Sequence, residues 1–145
     1  MTTTTTICVD INVAIQLVVA EDTSVKAKSL WQSWAEADTQ LVVPSLFWYE
    51  AASILSKKVH RQLITDAEST SALITLMNMP FQTISVENLH MRALEMALRL
   101  KQPQAYDAHY LVIAQAINCE FWTDDERLYR TALQEVPQIK WFRNY

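Results

Sequence analysis

The amino-acid sequence predicts an α/β fold, a three-layer sandwich whose central parallel sheet of about five strands is flanked by helices on both faces. Two observations carry this expectation. The segments with strand character are short and almost continuously apolar, lacking the polar alternation of a sheet with one wet face. Between them lie stretches with apolar residues at helical spacing, which is how parallel strands are connected, by right-handed crossovers.

The strand segments, in order, are ICVDI (7–11), QLVVP (40–44), FQTISV (81–86), CEFWT (119–123) and IKWF (139–142). After the first, Ser24 is placed to cap a helix with the stripe Ala27, Leu30, Trp31 and Trp34. The second strand leads into LFWYEAASILSKK, whose apolar stripe is Phe47, Ala51, Ile54 and Leu55. Thr65 and Glu68 have capping-box spacing ahead of ALITLM. Asn88 or Glu87 opens a helix through Leu89, Ala93, Met96 and Leu100, with Pro103 just beyond its end. From 106 to 118 nearly every side is apolar, the mark of a helix enclosed by its neighbours. A last helix begins at Glu126.

A length of 145 residues suits a single domain spanning 1–145, with the threonine-rich 1–6 as a flexible lead-in. MTTTTT has neither the basic region nor the apolar core of a signal peptide, and apolar runs such as 110–114 are far short of the roughly 18 residues that cross a bilayer. These features point to the cytoplasm and away from a membrane. Cys8 and Cys119 each lie within apolar sequence, so buried thiols are expected rather than a disulfide or a zinc site. Glycine is absent, which excludes every glycine-rich phosphate loop and dinucleotide fingerprint. With 12 basic and 16 acidic residues the net charge is −4, which argues against wrapping nucleic acid by charge alone.

The chemistry is sought where the strands end, because open α/β sheets bind ligands at the carboxyl ends of their strands. Asp10 closes the first strand, and Asp124 and Asp125 follow the fourth; taken singly, each is explained as a helix cap. Glu50 is harder to explain that way, since it lies on the inward face of its helix, three residues after Phe47 and four before Ile54. Asp107 opens the most enclosed helix, where a first-turn acid also suits the helix dipole. Gathered together without basic partners, these carboxylates raise one another's pKa, and a hard divalent cation is the natural counter-charge. Magnesium or manganese held by acids and water activates a water for phosphodiester cleavage without histidine or cysteine. His60, His90 and His109 have no metal-ligand spacing, and Ser45 and Ser53 have no nucleophile signature.

The succession VDINVAI, LFWYEAASIL, AYDAHYLVIA and FWTDDERLY resembles the PIN-domain family, in particular the VapC-type toxin ribonucleases of toxin–antitoxin pairs, over nearly the whole chain. The resemblance implies a PIN-like sandwich and a magnesium- or manganese-dependent endoribonuclease acting on RNA. It implies Asp10, Glu50, Asp107 and Asp125 as catalytic metal ligands, with Asn12 and Thr123 as supporting polar residues. Asp125 is then the site acid of the pair, and Asp124 faces solvent or caps the helix from Glu126. A homodimer and a protein antitoxin covering the active-site groove are implied as well. In LKQPQAY, before Asp107, the chain lacks the glycine or serine common in relatives.

For phosphate contacts, SKKVHR continues the helix that carries Glu50 and offers Lys57, Lys58 and Arg61, although a solvated basic helix end explains these residues equally well. Arg127 and Arg130 are a second basic possibility. Two rival functions stand beside the nuclease. A dehalogenase-like phosphatase needs an aspartate where Asn12 stands, and a non-catalytic metal- or RNA-binding regulatory domain would keep the acids without cleavage.

Overall fold

The computed structural model describes residues 4–145. Five strands, β1 (Thr6–Val9), β2 (Gln40–Val43), β3 (Phe81–Thr83), β4 (Glu120–Thr123) and β5 (Ile139–Trp141), form one parallel sheet in the order β3-β2-β1-β4-β5. Seven helices connect and cover them: α1 (Ile11–Ala14), α2 (Ser24–Glu36), α3 (Leu46–His60), α4 (Asp66–Met77), α5 (Leu89–Arg99), α6 (Tyr106–Ile117) and α7 (Glu126–Ala132). Short 3-10 turns extend α1 and follow β5.

Register explains why the strands carry no polar alternation. Cys8 aligns with Val42 and Phe121 on one face, and Val9 aligns with Trp122 on the other. Tyr110 of α6 stacks on Phe121, with ring centroids 5.2 Å apart, while Trp34 of α2 meets Trp122 edge-on at 5.7 Å. Helices therefore enclose both faces, and Ile7, Cys8, Val9, Leu41, Val42 and Val43 are all buried. The chain runs outward from β1 through β2 to β3, then returns to the far side of β1 to form β4. The carboxyl ends of β1 and β4 thus flank the topological switch point, where such folds form a crevice.

The structure corrects three local expectations. The lead-in is shorter than 1–6: residues 1–3 lie outside the described residues, Thr6 belongs to β1, and the Thr5 carbonyl accepts the Gln40 N–H at 2.8 Å. Ser24 does not cap α2 but is its first residue, its hydroxyl accepting the Glu21 N–H at 2.8 Å. Asn88 precedes α5 in the left-handed region at φ 56° and makes no side-chain cap. The Thr65–Glu68 capping box forms in both directions, each bond 3.1 Å long.

The absence of glycine shows most at the helix ends. Asp38, Gln62 and Lys101 have φ of 54°, 61° and 56°, directly after the C-caps of α2, α3 and α5. Each is followed by a 2.9 Å bond that closes a Schellman motif: Thr39 to Trp34, Leu63 to Lys58, and Gln102 to Ala97. Residues with a Cβ take the position glycine usually fills, at a cost of about 1–2 kcal/mol apiece.

Candidate active site

Asp10 directly follows β1 and is 2 % exposed. Although it stands at the N-cap position of α1, its carboxylate makes no cap bond. It turns instead toward β4, where Oδ2 accepts the Thr123 hydroxyl at 2.9 Å and the Asn12 amide at 3.1 Å. Asn12 also accepts the Asp124 N–H on its Oδ1 at 2.9 Å, and Thr123 Oγ1 accepts the Asp125 N–H at 3.1 Å. This lattice ties the ends of β1 and β4 together and fixes the Asp10 side chain, so both residues expected to support the acids bond to Asp10 directly.

Glu50 lies half-buried on α3, where its Oε1 accepts the Tyr110 hydroxyl at 2.8 Å. Asp107 is half-buried in the first turn of α6. Burial pushes all three of these carboxyl groups above the ordinary range, and they also act on one another. Asp10 is raised first by desolvation and then by Asp107 and Glu50, against the bonds from Thr123 and Asn12. Desolvation raises Glu50, with Asp107 adding to it, while the Tyr110 hydroxyl pulls it down. Asp107 is raised by desolvation and then by the charge of Asp125. The structure therefore brings Asp10, Glu50, Asp107 and Asp125 from four separate segments into one electrostatic neighbourhood. Among the described residues none of the four forms a salt bridge.

The aspartate pair is arranged differently from expectation. Asp125 caps α7, its Oδ1 accepting the Leu128 N–H at 3.0 Å. Asp124 neither faces open solvent nor caps that helix. Its side chain is 14 % exposed and is gripped by Arg143, with Nε at 2.8 Å and the guanidinium NH2 at 3.3 Å, while the Gln16 amide donates to it at 3.3 Å. Asp124 thus has a cationic partner, and among the described residues Asp125 has none.

Oxygen donors with unbalanced negative charge match what a hard divalent cation requires. Among the described residues, however, no three acid, histidine or cysteine side chains already converge into a closed ion cage. Magnesium retains several waters and needs only one or two direct carboxylates, so the open spacing still suits it. The thiols are no alternative, since burial raises Cys8 and pushes Cys119 up to about 11.

Basic residues lie along the same helix. Lys57 lines a cleft of about 450 Å³ that also contains Glu50, and it lines a second of about 270 Å³ with Lys58, Arg61, Asn12 and Asp124. Lys58 pairs with Glu21 at 3.0 Å, and Arg130 with Glu126 at 2.5 Å. Two contributors, Tyr110 and Arg143, lay beyond the sequence reading. Tyr110 reads as one more enclosed residue of the 106–118 stretch, and its place three residues after Asp107 is the available signal. Arg143 reaches Asp124 from the C-terminal turn, a contact with no local sequence mark. His90 and His109, distant in sequence, meet with Nδ1 and Nε2 2.9 Å apart, because α5 packs on α6.

Comparison with known proteins agrees with this architecture. Residues 7–133 match the PIN domain. The VapC ribonuclease Mb0985 of Mycobacterium bovis is 34% identical over 101 residues, which are 70% of this chain and 77% of that protein. The crystal structure of PAE2754 from Pyrobaculum aerophilum superposes with a TM-score of 0.68 at 19% identity, covering 89% of this chain and 87% of that one. A toxin–antitoxin complex from Klebsiella pneumoniae gives 0.64 at 17% identity, covering 93% and 96%. Fold, strand-end acids and sequence similarity together establish that the chain belongs to the PIN-domain family, alongside the VapC ribonucleases.

Proposed function

We propose that this PIN-domain protein is a divalent-metal-dependent endoribonuclease, the toxin of a toxin–antitoxin pair, with its chemistry carried by one domain. One observation carries the reading: Asp10, Glu50 and Asp107 lie close enough that each, raised first by burial, is raised further by a neighbouring acid, Asp125 included, and among the described residues none of the four forms a salt bridge. Magnesium or manganese would be held by Asp10, Glu50, Asp107 and Asp125, and when bound it supplies an activated water and charge stabilisation for phosphodiester hydrolysis. The chain's own contribution is positional. Thr123 and Asn12 fix the Asp10 carboxylate, while Tyr110, whose own pKa burial raises well above the ordinary value, stays protonated and orients Glu50. Lys57, Lys58 and Arg61 place RNA phosphates beside the acids, with Lys57 free of the ion pair that engages Lys58.

Similarity to VapC ribonucleases and to a toxin–antitoxin complex supports an RNA substrate and a protein antitoxin. A homodimer and a cytoplasmic location belong to the same proposal; among the described residues no helix is long and apolar enough to cross a membrane. The open spacing of the carboxylates is the one feature that favours a non-catalytic, metal- or RNA-binding regulatory role. A single experiment separates the two readings. Purified protein and an Asp10→Asn variant are incubated with mixed RNA in manganese, magnesium or chelator. Metal-dependent cuts made only by the unaltered protein support the enzyme. Uncut RNA in every metal condition refutes it, and identical cuts by both proteins refute the role of Asp10.

A further inference from the structure

Each of the two helical site acids is preceded by an exposed tyrosine: Tyr49 before Glu50 on α3, and Tyr106 before Asp107 on α6. Tyr49 is 74 % exposed and Tyr106 is 56 % exposed. A helix turns about 100° per residue, so each ring is carried round the helix from its carboxylate and outside the core stripe. Among the described residues neither ring packs on another aromatic side chain, and neither hydroxyl makes a hydrogen bond within the chain. Both rings are largely open to solvent.

The two tyrosines line the same cleft of about 450 Å³, a volume within the range of small-ligand sites. One wall is the flank of α3, with Tyr49, Glu50 and Lys57; the other is Gln104 with Tyr106. A site acid, a cation, an amide and two bare aromatic rings thus share one groove. Lys57 also joins this groove to the second cleft, where Lys58 and Arg61 continue the positive surface. A polyanion that carries flat rings matches this combination better than a protein segment does, because it uses the lysine path and both ring faces together. Unpaired bases of single-stranded RNA are bound in this way, by stacking on aromatic side chains with basic residues on the backbone.

We propose that this groove is a nucleobase-stacking subsite for single-stranded RNA, with Tyr49 and Tyr106 holding a base and Lys57 its phosphate, so that the strand is anchored next to Glu50. The proposal rests on the ribonuclease reading and deepens it: the substrate is RNA with at least one unstacked base beside the cut, not continuous duplex.

The test measures binding by the full chain carrying Asp10→Asn, which removes the cleavage acid, to two fluorescein-labelled probes. One is a mixed-sequence single-stranded RNA of twelve or so nucleotides, and the other is an abasic strand of equal length. Tyr49→Ala and Tyr106→Ala each weaken binding of the base-bearing strand about tenfold. Neither changes binding of the abasic strand, and Tyr49→Phe and Tyr106→Phe restore affinity. Lys57→Ala weakens binding of both strands. Equal losses on both probes, or no loss on either, overturn the subsite. So does a change in oligomeric state, or loss of antitoxin binding alone, since the tyrosines then belong to a protein interface. The ribonuclease reading is judged separately, by metal-dependent cleavage with the unaltered chain. Cleavage without tyrosine dependence sinks only the subsite, whereas tyrosine-dependent binding without cleavage sinks only the enzyme.

Discussion

Asp124 and Asp125 are adjacent, equally charged and at the same strand end, yet the structure gives them separable roles. Asp125 accepts the Leu128 N–H and caps α7. Asparagine caps a helix about as well as aspartate, so Asp125→Asn removes the charge and keeps most of the cap, with a dipole loss of about 0.3–1 kcal/mol. Asp125→Ala removes the cap as well and costs about 1 kcal/mol more, which for a chain of this size lowers Tm by about 4 °C. Asp124→Asn breaks the charge pairing with Arg143, whose side chain is 43 % exposed, so solvent screening holds that cost to about 1 kcal/mol or less. In metal-free thermal melts by circular dichroism, both asparagine variants therefore stay within about 4 °C of the parent. Their activities separate. If Asp125 holds a cation, its charge is worth about 3 kcal/mol in the transition state, and Asp125→Asn slows metal-dependent RNA cleavage about a hundredfold. Asp124, already neutralised by Arg143, is dispensable to within about threefold by the same conversion. Equal activity losses in the two variants refute the assignment of Asp125. Loss of more than about 2 kcal/mol of stability in Asp125→Asn would instead make its inactivity a folding defect.

Further outcomes follow from the same geometry. Asp10, Glu50 and Asp107 have folded pKa values above the ordinary carboxylate range of about 4, so in the window between that value and their raised ones the folded state binds more protons than the unfolded chain. Their contribution to stability is complete below that window and is lost as pH rises through it. Urea unfolding in chelator should show metal-free protein gaining stability as pH falls through that window and Asp10→Asn gaining less; a monotonic loss on acidification contradicts this. Tyr110→Phe removes a bond to a charged acceptor and costs about 1.5–3 kcal/mol, and it should weaken manganese binding measured by calorimetry, whereas unchanged affinity would make Tyr110 purely structural. Lys57→Glu should lower the salt slope of RNA binding by about 0.7 for a lost phosphate contact, and Lys58→Glu should change it less because Lys58 already pairs with Glu21. Lys101→Gly relieves a left-handed residue and should raise stability by about 0.5–1 kcal/mol in denaturant unfolding.

The sheet was legible from its centre, where the enclosed parts of β1 and β2 have nowhere to place a polar residue and read as apolar runs, while the edge strands β3 and β5 expose Gln82, Thr83 and Lys140. The proposed site acids stand out for the opposite reason: Glu50 on an inward face and Asp107 at the head of an enclosed helix contradict their surroundings. What the sequence hid were contacts between elements distant along the chain. Asp125 and Asp124 exchange the caps and partners expected of them because Arg143 arrives from beyond β5. Ser24 has a good cap residue's chemistry, but the turn from Glu21 claims its hydroxyl, and local hydrogen bonding of this kind competes with capping. Without glycine, the helix stops fell on Asp38, Gln62 and Lys101, of which only an aspartate is an accustomed left-handed residue.

The placement of polar bonds explains how a fold can carry so much like charge at one edge. Asp10 is the most deeply buried acid of the site, and Thr123 and Asn12 donate to the same oxygen, Oδ2. Those donors hold the carboxylate in place but do not neutralise it, which is why its pKa stays raised in spite of them. Arg143 shows that the chain is able to bring an arginine to this edge. That arginine pairs with Asp124, and among the described residues Asp10, Glu50, Asp107 and Asp125 have no salt-bridge partner. Under the proposed function, a counter-charge built into the site would block a divalent ion, and leaving it out keeps the acids available to a recruited cation, which would offset their mutual repulsion.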